Sequence, residues 1–279
     1  MQTRKWLITL VVAGVLTALG LLIFKSRQLP PSPPLPSPNG HDDFVKAGQM
    51  LASNTSDYHE MSDEELRQLV TQNAEALSLV RTGLGRECRV PLVDSQAYMG
   101  SHLSELASIY TLARALDAEG RLAESEHRNR EAVEAHLDTM RLGQEATRGG
   151  VLSDGYVGIA CEAIGAAGLQ NLVTNLNAEE CRKLLDALET IAKKQESFEE
   201  VMKHDREWSQ RANPLYYPLY QRIVASFMRL LNLTSTTQAE RKAALKFQTR
   251  EQRQRALLIA VATRAYELEK GRRPKSIAE

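Results

Sequence analysis

The sequence predicts an all-α protein in which a hydrophobic N-terminal transmembrane helix and a Pro-rich linker precede an antiparallel helical bundle. Aromatic residues make up only 5% of the 279 residues, and the abundant Ala, Leu, Glu and Arg favour helices over strands. After residue 40 the apolar residues recur with helical periodicity, and capping sequences precede several of these runs. We therefore divide the chain into an anchor (1–28), a linker (29–40) and a helical domain (41–279).

The first element is an uncharged run from Trp6 to Phe24. As a helix its nineteen residues would measure about 28 Å, close to the hydrocarbon thickness of a bilayer. The terminal amine and two basic residues precede the run and two basic residues follow it. This bias favours an N-terminus inside the cell and a body outside the cytoplasmic (inner) membrane, in the periplasm. A cleaved signal peptide is the alternative, although the run is longer than a usual signal core.

The linker has six prolines among the eleven residues from Leu29 to Asn39. Proline favours polyproline II and excludes a helix, so we expect a stiff spacer about 30 Å long. A proline-rich ligand for a partner domain is the alternative interpretation of the same composition.

Caps and periodicity locate the helices of the domain. Ser62 with Glu65, Asn177 with Glu180 and Thr237 with Glu240 fit capping boxes, and Gly120 and Gly271 fit C-terminal glycines. Short connections predict antiparallel neighbours. We predict helices at residues 42–53, 63–81, 92–117, 121–147, 152–176, 178–209, 215–231 and 238–270.

The predicted helix at 152–176 is apolar on all sides. Its stretch contains only two charged residues, Asp154 and Glu162, and four glycines. Small residues let neighbouring helices approach closely, so we expect the central core helix of the bundle. A second membrane span is the alternative, which Glu162 and the glycines disfavour.

Charge is unevenly distributed along a chain whose net charge is zero. Residues 40–238 contain 20 basic and 30 acidic residues, whereas residues 239–279 contain 11 and 5. We expect the basic C-terminal helix to dock on the acidic body. No aromatic or glycine motif accompanies the basic stretch, so nucleic acid is not a predicted partner.

Three cysteines, Cys88, Cys161 and Cys181, occur without a CxxC motif. Small buried thiols are the expected state. A bridge between Cys161 and Cys181 is the alternative in an oxidising compartment.

One pair of ionisable residues and one single carboxylate on the predicted helices are candidates for a chemical site. Glu124 and His127 have the Glu-x-x-His spacing that places both side chains on one helix face, as in carboxylate-bridged metal sites. A solvated charged face fits their charged neighbours better. Glu162 is a lone carboxylate on the apolar helix, where burial would raise its pKa and suit a general acid or base. Pairing with an arginine is the structural alternative.

Trp208, Tyr216, Tyr217 and Tyr220 form the one cluster of aromatic residues. Such side chains suit a partner-binding surface, although a hinge between helices packed with large side chains is the simpler interpretation. No phosphate loop, catalytic triad or cofactor motif is present, so we predict no cofactor.

Two parts of the chain resemble a known group. Leu112–Arg114, Glu119–Arg121 and Val157–Ala163 resemble segments of membrane-anchored helical proteins common in planctomycete-type bacteria. The closing segment Tyr266–Ile277 is similar to an element of the same group and of type II secretion pseudopilins. The resemblance implies an anchor, a linker and a helical body, but no chemistry.

These observations predict a membrane-anchored interaction or scaffold protein of the cell envelope. Its expected partners are membrane lipid, through residues 6–24, and an envelope protein. One alternative is an enzyme with a carboxylate/His metal site in the bundle. The other is a pseudopilin-like component of a secretion apparatus.

Overall fold

The computed structural model describes residues 13–14, 17–18, 20–21, 32–52, 57–213 and 235–276. Across these residues the only regular structure is helical, which confirms the all-α prediction. The predicted helix 215–231 and most of the uncharged run 6–24 lie outside the described residues. The helices of the body are α1 (Gly40–Gln49), α2 (Asp63–Gln72), α3 (Ala74–Leu84), α4 (Gln96–Ser125), α5 (Asn129–Glu145), α6 (Leu152–Leu172), α7 (Ala178–Lys193), α8 (Phe198–Ala212) and α9 (Ser235–Lys270).

Two predicted helices are each divided in the structure. The predicted helix 63–81 breaks at Asn73, whose side chain accepts a hydrogen bond from Ala52 N (2.9 Å) and donates one to Leu69 O (2.8 Å). The predicted helix 178–209 breaks before Ser197, which opens α8 with a capping box that includes Glu200. In both places a side chain bonds the backbone at the break, which the apolar periodicity does not reveal.

The capping predictions had mixed outcomes. The boxes at Ser62 and Asn177 are present, and Gly271 has the positive φ (66°) of a C-terminal glycine. The prediction for Gly120 was wrong, because α4 continues through it to Ser125. The predicted start at Thr237 was also wrong, because α9 already includes Ser235.

Helix α6 lies at the centre of the body, as predicted, and packs against α4, α5, α8 and α9. Glycines allow its close approach to α5. A Cβ atom on Gly143 would lie 2.7 Å from Gly158 O, and one on Gly158 would lie 2.7 Å from Gly143 O. The small residues of α6 therefore bring two helix backbones almost into contact.

Two apolar cores flank α6. The first joins α1, α3 and α4 and includes Phe44, Leu77 and Ile109. The second joins α5, α6, α7 and α9 and includes Met140, Leu184 and Val261. The basic C-terminal helix thus docks on the body mainly through apolar side chains, with few ion pairs.

One segment of the described part, Leu152–Asn175, is long and apolar enough to cross a membrane. Half of its most apolar window is buried inside the protein. Four helices pack against α6, and its remaining apolar face is only partly buried.

All three cysteines are buried and free. The buried thiols are therefore as predicted, and the alternative bridge between Cys161 and Cys181 was wrong. Burial raises the pKa of the Cys88 thiol to about 12, which keeps that sulfur protonated and unreactive.

Candidate functional site

A cleft of about 840 Å³ opens between the segment 57–66, helix α4 and helix α6. The wall from α6 is apolar at Ala160, Ala163, Ile164, Ala167 and Gly168, which recur at helical spacing, and it also includes the polar Asn171. The opposite walls are polar and contain tyrosine, carboxylate and arginine side chains. They comprise Tyr58, His59, Asp63, Tyr110, Asp117, Arg121, Glu124 and Ser125. A cleft of this size with an apolar wall facing polar groups has the character of a ligand-binding site.

A series of polar contacts connects Tyr58, Asp117 and Glu124 of the polar wall with the buried His136. The Tyr58 hydroxyl donates to Asp117 Oδ2 at 2.8 Å. Asp117 Oδ1 lies 3.0 Å from His136 Nδ1 and forms an ion pair with the ring when the ring is protonated. His136 Nε2 bonds Glu124 Oε1 at 2.7 Å. Glu124 is the more exposed of the two carboxylates, with 27% of its side chain exposed, against 6% for Asp117.

His136 is fully buried between two carboxylates. Burial alone would lower the pKa of the imidazole, but Asp117 and Glu124 outweigh burial and raise the pKa to about 9. The ring is therefore cationic at neutral pH and donates from Nε2 to Glu124. This contact holds the Glu124 carboxylate in one position at the edge of the cleft.

Two glycines make room for this imidazole ring. A Cβ atom on Gly168 of α6 would lie 2.3 Å from His136 ring atoms. A Cβ atom on Gly120 of α4 would lie 2.5 Å from the ring. Gly120, which was predicted to end a helix, instead sits inside α4 where only hydrogen leaves space for the histidine.

Arg121 lies on the outer side of the cleft and is hydrogen-bonded to His59. Its guanidinium donates from Nη1 to His59 Nδ1 at 2.6 Å and from Nη2 to His59 O at 3.3 Å. It also lies 5.9 Å from the centroid of the Tyr58 ring. Burial and then Arg121 lower the pKa of His59, which keeps this imidazole neutral.

The predicted Glu124–His127 pair does not share a helix face. Helix α4 ends at Ser125, and His127 lies in the following turn with a positive φ of 59°. The structural premise of this metal-site prediction was therefore wrong, because the turn separates the two side chains. Within the described ranges no group of three or more His, Cys, Asp and Glu side chains is arranged to hold a metal ion.

Glu162 lies in a separate, closed part of the core and is 3% exposed. Its Oε2 accepts hydrogen bonds from Gln195 Nε2 (2.7 Å) and Gln254 Nε2 (3.1 Å). Arg250 Nη1 lies 4.0 Å from Oε1. Burial raises the pKa of this carboxyl to about 7, against the opposing effect of Arg250. The carboxyl thus joins α6 to α9 and the segment before α8, and does not line the cleft.

Trp208 is 8% exposed, and its indole N–H donates to Val93 O at 2.8 Å. The ring therefore packs within the body and ties α8 to the segment before α4. The other members of the predicted partner-binding cluster, Tyr216, Tyr217 and Tyr220, lie outside the described residues.

A second buried histidine network connects α4 and α6. His102 Nε2 bonds Asp154 Oδ1 at 2.8 Å, and Asp154 Oδ2 accepts from Val151 N at 3.0 Å. His41 is also fully buried, and in the described part neither of its ring nitrogens has a hydrogen-bond partner. Burial lowers the pKa of His41 to about 4, so this ring stays neutral. The bonded part of the network therefore joins α4 to α6, and through His102 Nδ1 it reaches Tyr98 and the partly exposed Glu105.

The sequence interpretation missed His136, the residue that organises the cleft. The sequence does place His136 on the apolar face of α5, next to Ala132, Ala135 and Met140, and this position could have indicated a buried histidine. Its two glycine neighbours lie 16 and 32 residues away in the chain, so no local motif connects them with the histidine.

Comparison with protein-family models, curated proteins and solved structures finds no match for this chain. The resemblance to membrane-anchored planctomycete-type proteins and to pseudopilins therefore stays a prediction.

Proposed function

We propose that this chain is a membrane-anchored binding protein of the cell envelope, in which the cleft of the helical body receives a ligand or a segment of a partner protein. The observation that supports it best is the cleft itself, with its apolar α6 wall opposite a positioned carboxylate. Such a pairing of an apolar surface with a few placed polar groups is typical of binding sites.

The uncharged run Trp6–Phe24 and the Pro-rich linker support the location. A single helix of this length is long enough to anchor the chain in a bilayer, and the linker would hold the body away from the lipid surface. The basic flanks favour an N-terminus inside the cytoplasmic membrane and a body in the periplasm.

Membrane fractionation tests the anchor. We expect the full chain in the membrane fraction after high-salt and alkaline washes, and a chain lacking residues 1–28 in the soluble fraction. Val15→Arg should weaken insertion, because a charge at the centre of a span costs about 3 kcal/mol. Leu35→Arg, in the linker, should leave the distribution unchanged. A full chain that is soluble without detergent would contradict the proposal.

A neutral probe tests the cleft. The exposed Ala167 lines it, so Ala167→Trp should fill the cleft without disturbing the core. Gln170→Trp, at an exposed position of the same helix outside the lining, is the matched control. With the full chain in phosphatidylcholine nanodiscs, 2-phenylethanol should show binding by saturation-transfer NMR that Ala167→Trp removes and Gln170→Trp keeps. Equal signals from all three proteins would overturn the binding function.

A further inference from the structure

We propose that the cleft binds an amphipathic amine, whose ammonium group pairs with the Glu124 carboxylate while its hydrocarbon part lies along the apolar wall of α6. This inference rests on the proposed binding function and names the chemistry of the ligand. It follows from which polar groups of the cleft already have partners and which do not.

The cationic side chain of the lining is engaged within the protein. Arg121 donates to both the ring and the carbonyl of His59, while its Nε is buried and has no hydrogen-bond partner in the described part of the chain. A bound anion would have to displace these contacts. The Tyr58 hydroxyl is likewise used, because it donates to Asp117. An anionic ligand would therefore compete with His59 for the Arg121 guanidinium.

The carboxylates at the edge of the cleft are available as acceptors. Glu124 accepts from His136 with Oε1, and its Oε2 has no hydrogen-bond partner in the described part of the chain. Asp63 lies on the rim, and across the described ranges its side chain has neither a hydrogen bond nor an ion pair. Free carboxylate oxygens accept strong hydrogen bonds from an ammonium group.

The charged side chains that line the cleft are mostly acidic. Asp63, Asp117 and Glu124 carry three negative charges, against the positive charges of Arg121 and the buried His136 imidazolium. Arg114 lies outside the lining, where it stacks 5.4 Å from the centroid of the Tyr58 ring. Three carboxylates and one guanidinium therefore line the cleft, whereas the positive charges of His136 and Arg114 lie behind the lining.

The apolar wall defines the rest of the ligand. Ala160, Ala163, Ile164, Ala167 and Gly168 form one face of α6, and no charged side chain of that helix lines the cleft. This face has small side chains and so accommodates a hydrocarbon chain or a ring along the helix. A ligand with one cationic end and one apolar end matches both walls.

Three soluble probes of similar size and different charge test the inference: phenethylammonium, 2-phenylethanol and 3-phenylpropionate. Their affinities are measured at pH 7 on the full chain in phosphatidylcholine nanodiscs, with Ala167→Trp as the reference for lipid partitioning. We expect phenethylammonium to bind about tenfold more tightly than the other two, the difference expected for one charged hydrogen bond. This comparison requires no substitution of Glu124.

Glu124→Gln tests the named carboxylate, because glutamine keeps an acceptor for His136 and removes the charge. Its affinity for phenethylammonium should fall about tenfold, to that of 2-phenylethanol, while the affinity for 2-phenylethanol stays constant. Glu75→Gln, which removes an exposed carboxylate from α3 outside the lining, should change neither affinity.

The outcomes separate the two proposals. If all three probes bind equally, or if 3-phenylpropionate binds best, and Ala167→Trp removes that binding, the cleft is a binding site and the amine assignment is wrong. An unchanged phenethylammonium affinity in a folded Glu124→Gln protein also overturns the assignment. If no probe binds in a way that depends on Ala167, the proposed function itself fails.

Discussion

His136 Nε2 lies 2.7 Å from Glu124 Oε1, so a fully buried imidazolium of α5 positions a carboxylate of α4 at the edge of the cleft. The two residues are twelve positions apart and belong to consecutive antiparallel helices. This contact connects the stability of the bundle with the geometry of the candidate site.

The stability of the protein should depend on the charge of His136. Its pKa is raised to about 9 from an unfolded value of about 6.5. The stabilisation is therefore complete below about pH 6.5 and is lost as the pH rises through about 9, which amounts to roughly 3 kcal/mol. Urea unfolding of wild type from pH 6 to pH 9.5 measures this decline. His136→Gln should remove it, and His127→Asn, in the exposed turn, should retain it.

Glu162 should make the free energy of unfolding depend on pH in a lower pH range than His136 does. Its pKa is raised to about 7 from an unfolded value of about 4.3. Its contribution is therefore greatest below about pH 4 and is lost as the pH rises through about 7. Relative to Glu162→Gln, wild type should lose roughly 3 kcal/mol of unfolding free energy across this window. Glu189→Gln, at an exposed position of α7, should behave as wild type. If the unfolding free energy of Glu162→Gln varies with pH in parallel with that of wild type, this assignment to Glu162 is wrong.

Alanine in place of the glycines around His136 should destabilise the fold. Gly168→Ala would place a Cβ 2.3 Å from the ring, and Gly120→Ala one at 2.5 Å. Overpacking of this kind costs about 1–3 kcal/mol. The matched control is Gly100→Ala on α4, where a Cβ would have no atom within 4 Å. This substitution should stabilise the helix by about 0.5–1 kcal/mol. Equal effects at the three positions in urea unfolding would show that the ring does not require this space.

Replacing Trp208 should lower the stability of the protein. Trp208→Phe leaves Val93 O without its donor and should cost about 1–2 kcal/mol. Trp208→Ala also removes the packed ring and should cost about 3–5 kcal/mol. Unfolding followed by circular dichroism measures both. A Trp208→Ala protein as stable as wild type would favour the earlier interpretation of this residue as a partner-binding side chain.

Much of the helical architecture was predictable because its signals are local. The capping boxes at Ser62 and Asn177 and the glycine at Gly271 act within a few residues of their own helix ends. The apolar, glycine-rich composition of α6 predicted its central position because a helix without a polar face has to be covered on all sides. The breaks at Asn73 and Ser197 were missed because the apolar pattern continues across them.

The candidate site was only partly predictable. Glu124 was identified, but with His127 as its partner, since a spacing of three residues normally places two side chains on one helix face. The turn after Ser125 removed that relationship, and the packing of α5 on α4 replaced it with His136. Glu162 was identified as a buried carboxylate, but its amide partners on two other segments were not.

The sequence by itself determined the helical class, some helix ends and the central place of α6, because caps, periodicity and composition act over a few residues. Only the tertiary structure decided that Tyr58, Asp117, His136 and Glu124 form one chain beside a cleft. A helical pattern tells which face is buried, but not which residues of another helix that face meets. Those contacts depend on how closely the helix backbones approach one another. Here Gly120 on α4 and Gly168 on α6 leave the space that the His136 ring occupies.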